Sequence, residues 1–247
     1  MRNVLTVFNT MLLVVLSVTA FSVSPVTAQV FFSDDEAEFL VRNPNLALQD
    51  FESGMVPPVN LTVCSVLVNG NTNDDCFVPG DILPGIEFMA TEGPMAIFGP
   101  GTINNPFIVL TALDGGADFS IMFPGNTVNV AGVDLGCFTG VGNPPCDVTV
   151  NVFGPNGNLI GSTIVTASNM VDAFLGVESV LPISRIEVAE GTDDAGRSID
   201  RVLFGFAEVE PREIPTLSEW GMIAAAGGLM MVGVFFAVRR KRLQASA

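Results

Sequence analysis

The feature that most limits what this chain can fold into is its punctuation. Between residues 46 and 206, short runs rich in Val, Ile, Phe and Thr alternate with clusters of Gly, Pro, Asn and Asp, giving a turn signal about every ten residues. Such runs are too short for typical helices and read as strands at 46–52, 61–68, 85–90, 107–113, 117–123, 127–135, 147–153, 159–166, 173–177, 183–188 and 198–206. The plainest hairpin joins 147–153 to 159–166. Val148, Val150 and Val152 alternate with Thr149 and Asn151, the period of a strand with one buried face. Gly154-Pro155-Asn156-Gly157-Asn158 supplies the turn. One helix is expected ahead of the strands. Ser33 can cap it, Glu36 can reach back, and acids crowd its positive end; Pro44 limits it to about two turns. The fold class is therefore all-β, an antiparallel two-sheet β-sandwich with one short N-terminal helix.

Both ends of the chain read differently. Arg2 precedes a largely apolar stretch from Val4 to Val23, and Val26-Thr27-Ala28 puts small residues before Gln29. Residues 1–28 are read as a cleavable signal peptide. At the far end Gly221–Val238 carries no charge and spans about 27 Å as a helix, close to the roughly 30 Å hydrocarbon core of a bilayer. Trp220 stands at one border of this predicted span, 220–238, and Arg239, Arg240, Lys241 and Arg242 stop it at the other. The cations keep their end cytoplasmic, so the body lies outside the inner membrane, in the periplasm of the intermediate. Residues 29–207 form the expected extracytoplasmic domain, and 208–213 the linker.

The segment Ile214-Pro215-Thr216-Leu217-Ser218-Glu219-Trp220-Gly221, followed by a membrane span and a short basic cluster, resembles the IPTL-CTERM sorting signal of Gram-negative bacteria. That signal is similar to the PEP-CTERM signal handled by exosortases. The resemblance implies that residues 214–247 are recognised by a sorting protease and that the body passes to the cell surface or medium. Ile214, Pro215, Thr216, Leu217 and Trp220 would then be a recognition site for another enzyme, and signal peptidase, an exosortase-type protease and, transiently, the inner membrane would be the partners. The body has looser likenesses to bacterial surface proteins with such tails: Asp50-Phe51-Glu52, Phe153-Gly154-Pro155-Asn156-Gly157, Phe174-Leu175-Gly176-Val177 and Ile199-Asp200-Arg201-Val202-Leu203-Phe204-Gly205. They point to a jelly roll among sandwiches.

Charge narrows the partners. The chain carries a net charge of −16, and four of its ten cations sit in the basic cluster, so the body is more acidic still. Nucleic acid, which is held by cationic contacts to phosphate, is disfavoured. Acidity suits a soluble, self-repelling exported domain and admits divalent cations. The four cysteines fit an oxidising compartment. Their spacing is not that of a zinc site, and the chain has no histidine. Three disulfide pairings are open. The local one, Cys64–Cys76 with Cys137–Cys146, is expected because each bridge closes a loop rich in turn formers.

Catalysis has little to work with. Without His, a Ser or Cys nucleophile lacks its usual base. A carboxylate pair could serve a glycoside hydrolase, but no motif singles one out. No catalytic residue is therefore assigned, and the chain is read as a non-enzyme. Calcium is the one cofactor the sequence admits, through loop oxygens. Asn71, Asn73, Asp74 and Asp75 form one cluster; Asp193 and Asp194, joined by Asp200, form another. Neither has the spacing of a helix-loop-helix calcium loop. The expected function is a structural or interaction role at the surface or in the extracellular matrix. The alternative is a carbohydrate-binding module for polysaccharide, limited by the absence of Tyr and of any Trp besides Trp220.

Overall fold

The computed structural model describes residues 30–102, 106–113, 117–125, 127–138, 145–168, 173–189 and 195–207. The signal peptide, the linker, the sorting motif with its span and basic cluster, and Asp193 and Asp194 lie outside the described residues. Among the described residues no helix is long and apolar enough to cross a membrane.

In chain order the strands are β1 (Val30–Ser33), β2 (Ala47–Asp50), β3 (Leu61–Val63), β4 (Leu67–Asn69), β5 (Glu87–Ala90), β6 (Met95–Phe98) and β7 (Val109–Ala112). They continue as β8 (Phe119–Met122), β9 (Val130–Phe138), β10 (Cys146–Phe153), β11 (Leu159–Ala167), β12 (Ala173–Ser179), β13 (Arg185–Ala189) and β14 (Gly196–Gly205). A short helix, α1 (Glu36–Arg42), separates β1 from β2. An eight-stranded sheet runs β1-β12-β9-β14-β7-β6-β3, with β2 also on β14; a six-stranded sheet runs β11-β10-β13-β8-β5-β4. The pairings between the described strands are antiparallel, as the turn-rich pattern requires. The expected β-sandwich is the observed architecture.

The core lies between the sheets. Val148, Val150 and Val152 of β10, with Ile186 and Val188 of β13 and Phe119 and Ile121 of β8, belong to one buried cluster with Val133, Leu135, Leu175, Val177, Ile199 and Val202 of the other sheet. Each large side chain buried this way contributes about 1.5–3 kcal/mol.

Helix α1 starts two residues later than expected. Asp35, rather than Ser33, caps it, accepting from the Glu38 N–H at 2.9 Å. Ser33 is already the last residue of β1. The run 61–68 is two strands in different sheets, because the chain crosses over at Cys64–Val66. That corner is tied by the Cys64–Cys76 disulfide (Cα–Cα 5.4 Å). The second expected bridge, Cys137–Cys146, also forms and links β9 to β10 across the two sheets.

The helix matters because it covers part of one outer face of the sandwich. Phe39, fully buried, lies on β9 and β12 where both are glycine. A Cβ on Gly176 would stand 2.5 Å from the Phe39 ring, and one on Gly132 would meet it at 3.1 Å. Phe174 packs edge-on against Phe39, ring centroids 5.3 Å apart. Ion pairs hold both ends of α1: Glu36 to Arg201 at 2.6 Å and Arg42 to Glu178 at 3.2 Å. The helix thereby covers the β9–β12 part of the eight-stranded sheet, and among the described residues no helix lies on the outer face of the six-stranded sheet.

Candidate functional site

The open face follows from register. On β10 the buried valines point inward, so Asp147, Thr149, Asn151 and Phe153 point outward. Asn151 pairs with Ser162 of β11 on one side and Glu187 of β13 on the other; Phe153 pairs with Arg185. These side chains form a continuous polar row across three strands. Ser162 Oγ donates to Asn151 Oδ1 at 2.8 Å, and Asn151 Nδ2 donates to Glu187 Oε1 at 3.3 Å. Glu187 Oε2 is 3.3 Å from Arg185 Nη2, and the Arg185 guanidinium sits 4.0 Å from the centroid of the Phe153 ring. Thr166 Oγ1 donates to Asp147 Oδ1 at 2.7 Å further along the same face.

A half-exposed ion pair of this kind adds about 0–1 kcal/mol to stability, so the row is not needed to hold the sheet together. It presents hydroxyl, amide, carboxylate and guanidinium groups over roughly 10 Å, two interstrand spacings. That is a surface for a ligand rich in hydrogen-bonding groups. Reading strands one at a time misses it, since β10 and β13 are far apart in the chain. The available signal was the polar alternation itself: Arg185 and Glu187 two apart, like Thr149 and Asn151.

In the first candidate calcium cluster Asp74 is engaged by the backbone. Asp74 accepts from the N–H groups of Ser65 (2.7 Å), Cys76 (2.8 Å) and Phe77 (3.0 Å), which pins the β3–β4 corner. Burial alone would raise its pKa, but these hydrogen bonds together hold it below the ordinary carboxylate value. Asn71, Asn73 and Asp75 are exposed around it. Asn71 borders an open groove of about 340 Å³ that also includes Asn69, Leu83 and Glu87. Among the described residues no three His, Cys, Asp or Glu side chains are grouped so as to hold a metal ion.

Asp200 sits elsewhere, on the eight-stranded sheet. Ile199 is in register with Leu135 and Val202 with Val133, so Asp200 and Arg201 share a bulge opposite Asp134. β7 and β2 pair with successive parts of β14 along the same edge, and Asp200 falls between them. Burial, then the charges of Asp134 and Glu52, push its pKa up to about 6; Arg201 opposes and Asp50 adds to the rise. An acid whose folded pKa is raised lends stability that is complete below its unfolded pKa and lost as pH rises through the folded value. Asp200→Asn should therefore stabilise the protein near pH 7.5, by roughly 1–2 kcal/mol once solvent screening is allowed for. The gain should shrink toward zero by about pH 4. Thermal melting at the two pH values checks this; an equal shift at both would contradict the assignment.

The fold defines an antiparallel two-sheet β-sandwich with its one described helix on the outer face of the eight-stranded sheet. No family model matches the chain, and no curated protein matches it. Solved structures do. The family 29 carbohydrate-binding module CBM29_1 from Piromyces equi is 12% identical, covering 60% of this chain and 91% of its own, with a TM-score of 0.34. The CBM22-1 xylan-binding domain from Paenibacillus barcinonensis Xyn10C is 13% identical over 67% of this chain and 97% of its own, with a TM-score of 0.33. CsCBM6-3 from Clostridium stercorarium, in complex with cellobiose, is 11% identical over 58% and 95%, with a TM-score of 0.28. Likenesses this distant assign this chain no ligand and no role.

Proposed function

We propose that this chain is an exported surface or matrix protein whose β-sandwich is a non-catalytic interaction module. The observation that carries the reading is the Ser162–Asn151–Glu187–Arg185–Phe153 row on the outer face of the six-stranded sheet, where no described helix lies. Export and sorting through residues 214–242 belong to this proposal and rest on the sequence resemblance. The intact mass of the protein from its own cells tests them: loss of residues 1–28 and of everything beyond the sorting motif is expected. A mass that retains Arg239–Arg242 overturns the sorting cut.

The chemistry of the row favours a polysaccharide as the ligand. Sugar hydroxyls both donate and accept, and the row offers both kinds of group. The ring face of Phe153 is taken by Arg185, so hydrogen bonds rather than stacking would carry recognition. The strong negative charge selects neutral over acidic glycans. Titration calorimetry with a panel of soluble neutral and acidic polysaccharides tests this. Saturable binding confined to neutral chains is expected. Absence of binding across the panel would overturn the glycan reading and leave a protein-binding module. Calcium enters the proposal through Asn71, Asn73, Asp74 and Asp75 or through Asp193, Asp194 and Asp200, and repeating the titration in a chelator tests whether it contributes.

A further inference from the structure

The sheet edges of the sandwich are unequal, and β2, four residues long and paired with β14 alone among the described strands, is one of them. The eight-stranded sheet ends in β1 and β3, with four and three residues; the six-stranded sheet ends in β4, with three, and β11, with nine. Short edge strands are one of the ways proteins keep edges from pairing with other chains; charge, proline and covering are others. Of these devices, and of the bulges that also protect edges, β11 has only a one-residue register shift at Ile160, near its start. It reads Leu159-Ile160-Gly161-Ser162-Thr163-Ile164-Val165-Thr166-Ala167, without charge or proline, and is β-branched at Ile160 and from Thr163 to Thr166. Among the described residues it pairs with β10 alone.

Among the described residues the space beside it is open. A groove of about 480 Å³ is lined on one side by Thr163, Ile164, Val165 and Thr166 and on the other by the Phe32–Asp34 and Ala173–Leu175 segments. Successive strand residues point to opposite faces, so four in a row lining one groove place it along the strand's edge. Ile164 is 65% exposed there.

We infer that β11 is a self-association edge, and that its partner is β11 of a second copy of this chain, paired antiparallel. Charge limits where two copies can meet. Two copies of a chain with net charge −16 repel over most of their surfaces, and this nine-residue strip sets neutral against neutral. The strip is also self-complementary. An antiparallel pair of identical strands is related by a two-fold axis perpendicular to the sheet, the isologous geometry of a closed dimer. That axis leaves the outer faces of both six-stranded sheets on the same side. The dimer presents one continuous face with two copies of the Ser162–Asn151–Glu187–Arg185 row, an arrangement suited to a polymeric ligand. The association itself does not depend on the glycan reading.

Sedimentation equilibrium of the mature protein over a wide concentration range, with amide exchange across 159–167, tests the inference. A concentration-dependent dimer is expected, with exchange in this segment slowing as the dimer forms. Ile164→Lys and Ile164→Glu should each weaken dimerisation at least about tenfold, because either charge meets its own copy near the two-fold axis. Association driven only by net charge would respond to the two variants in opposite directions. The inference fails if the wild type stays monomeric, if the dimer survives both variants, or if exchange in 159–167 is independent of concentration. The wild-type exchange measurement decides the matter even if a variant does not fold.

Discussion

Phe39→Ala should destabilise the protein by about 3–5 kcal/mol, the range for truncating a fully buried aromatic ring. The size follows from what the ring covers. Phe39 is completely buried yet lies outside the core between the sheets, pressed onto Gly132 and Gly176 and edge-on to Phe174. Those glycines leave the backbone bare, so only the Phe174 ring is at hand to shift into the vacated volume. The ion pairs at the ends of α1 would remain, but as part-exposed pairs they offset little of the loss. A urea melt of wild type and variant measures the difference. A loss below about 1 kcal/mol would mean that the helix does not cover this part of the face.

The second large effect concerns the β3–β4 corner. Replacing Cys64 and Cys76 together by serine should cost about 3 kcal/mol, the chain-entropy value for a loop of this size. In a domain of this length that is a fall in Tm of roughly 6–12 °C. The hydrogen bonds from Ser65, Cys76 and Phe77 to Asp74 keep the corner's local shape, so folding is weakened rather than abolished. Melting of the double variant beside the wild type under non-reducing conditions measures it. Coincident transitions would contradict the role given to the bridge.

These two results test features that the sequence exposed unequally. The bridges were readable because each closes a turn-rich loop, and the 147–166 hairpin because alternating valines and a Gly-Pro-Asn-Gly turn act over a few residues. Phe39 was visible as an apolar residue in a short helix, but its seat on Gly132 and Gly176 depends on β9 and β12 being neighbours, which no local pattern states. The split of 61–68 into β3 and β4 has the same origin: an unbroken apolar run does not reveal that the chain changes sheets at Cys64. β1 and β6 were passed over, each only four residues long.

The candidate site was legible only in fragments. Acidic loops attract attention in a sequence, yet Asp74 turns out to be bound to backbone N–H groups, and Asp200 to be half-buried at a bulge among other carboxylates. The polar row was hidden for the opposite reason. Asn151, Ser162, Arg185 and Glu187 look like ordinary outward residues of separate strands. They become a surface only when the β10–β13 pairing sets Asn151 beside Glu187 and Phe153 beside Arg185.

The most direct test of that surface is to measure polysaccharide affinity for wild type, Arg185→Ala, Glu187→Ala and, as a control at the distant groove, Asn71→Ala. Loss of either charge leaves the other without its partner on the open face, and each variant should bind at least about tenfold more weakly with an unchanged Tm. Asn71→Ala should bind as the wild type does. Equal affinity in all four proteins would place the ligand elsewhere and contradict the claim that the open sheet face is the binding surface.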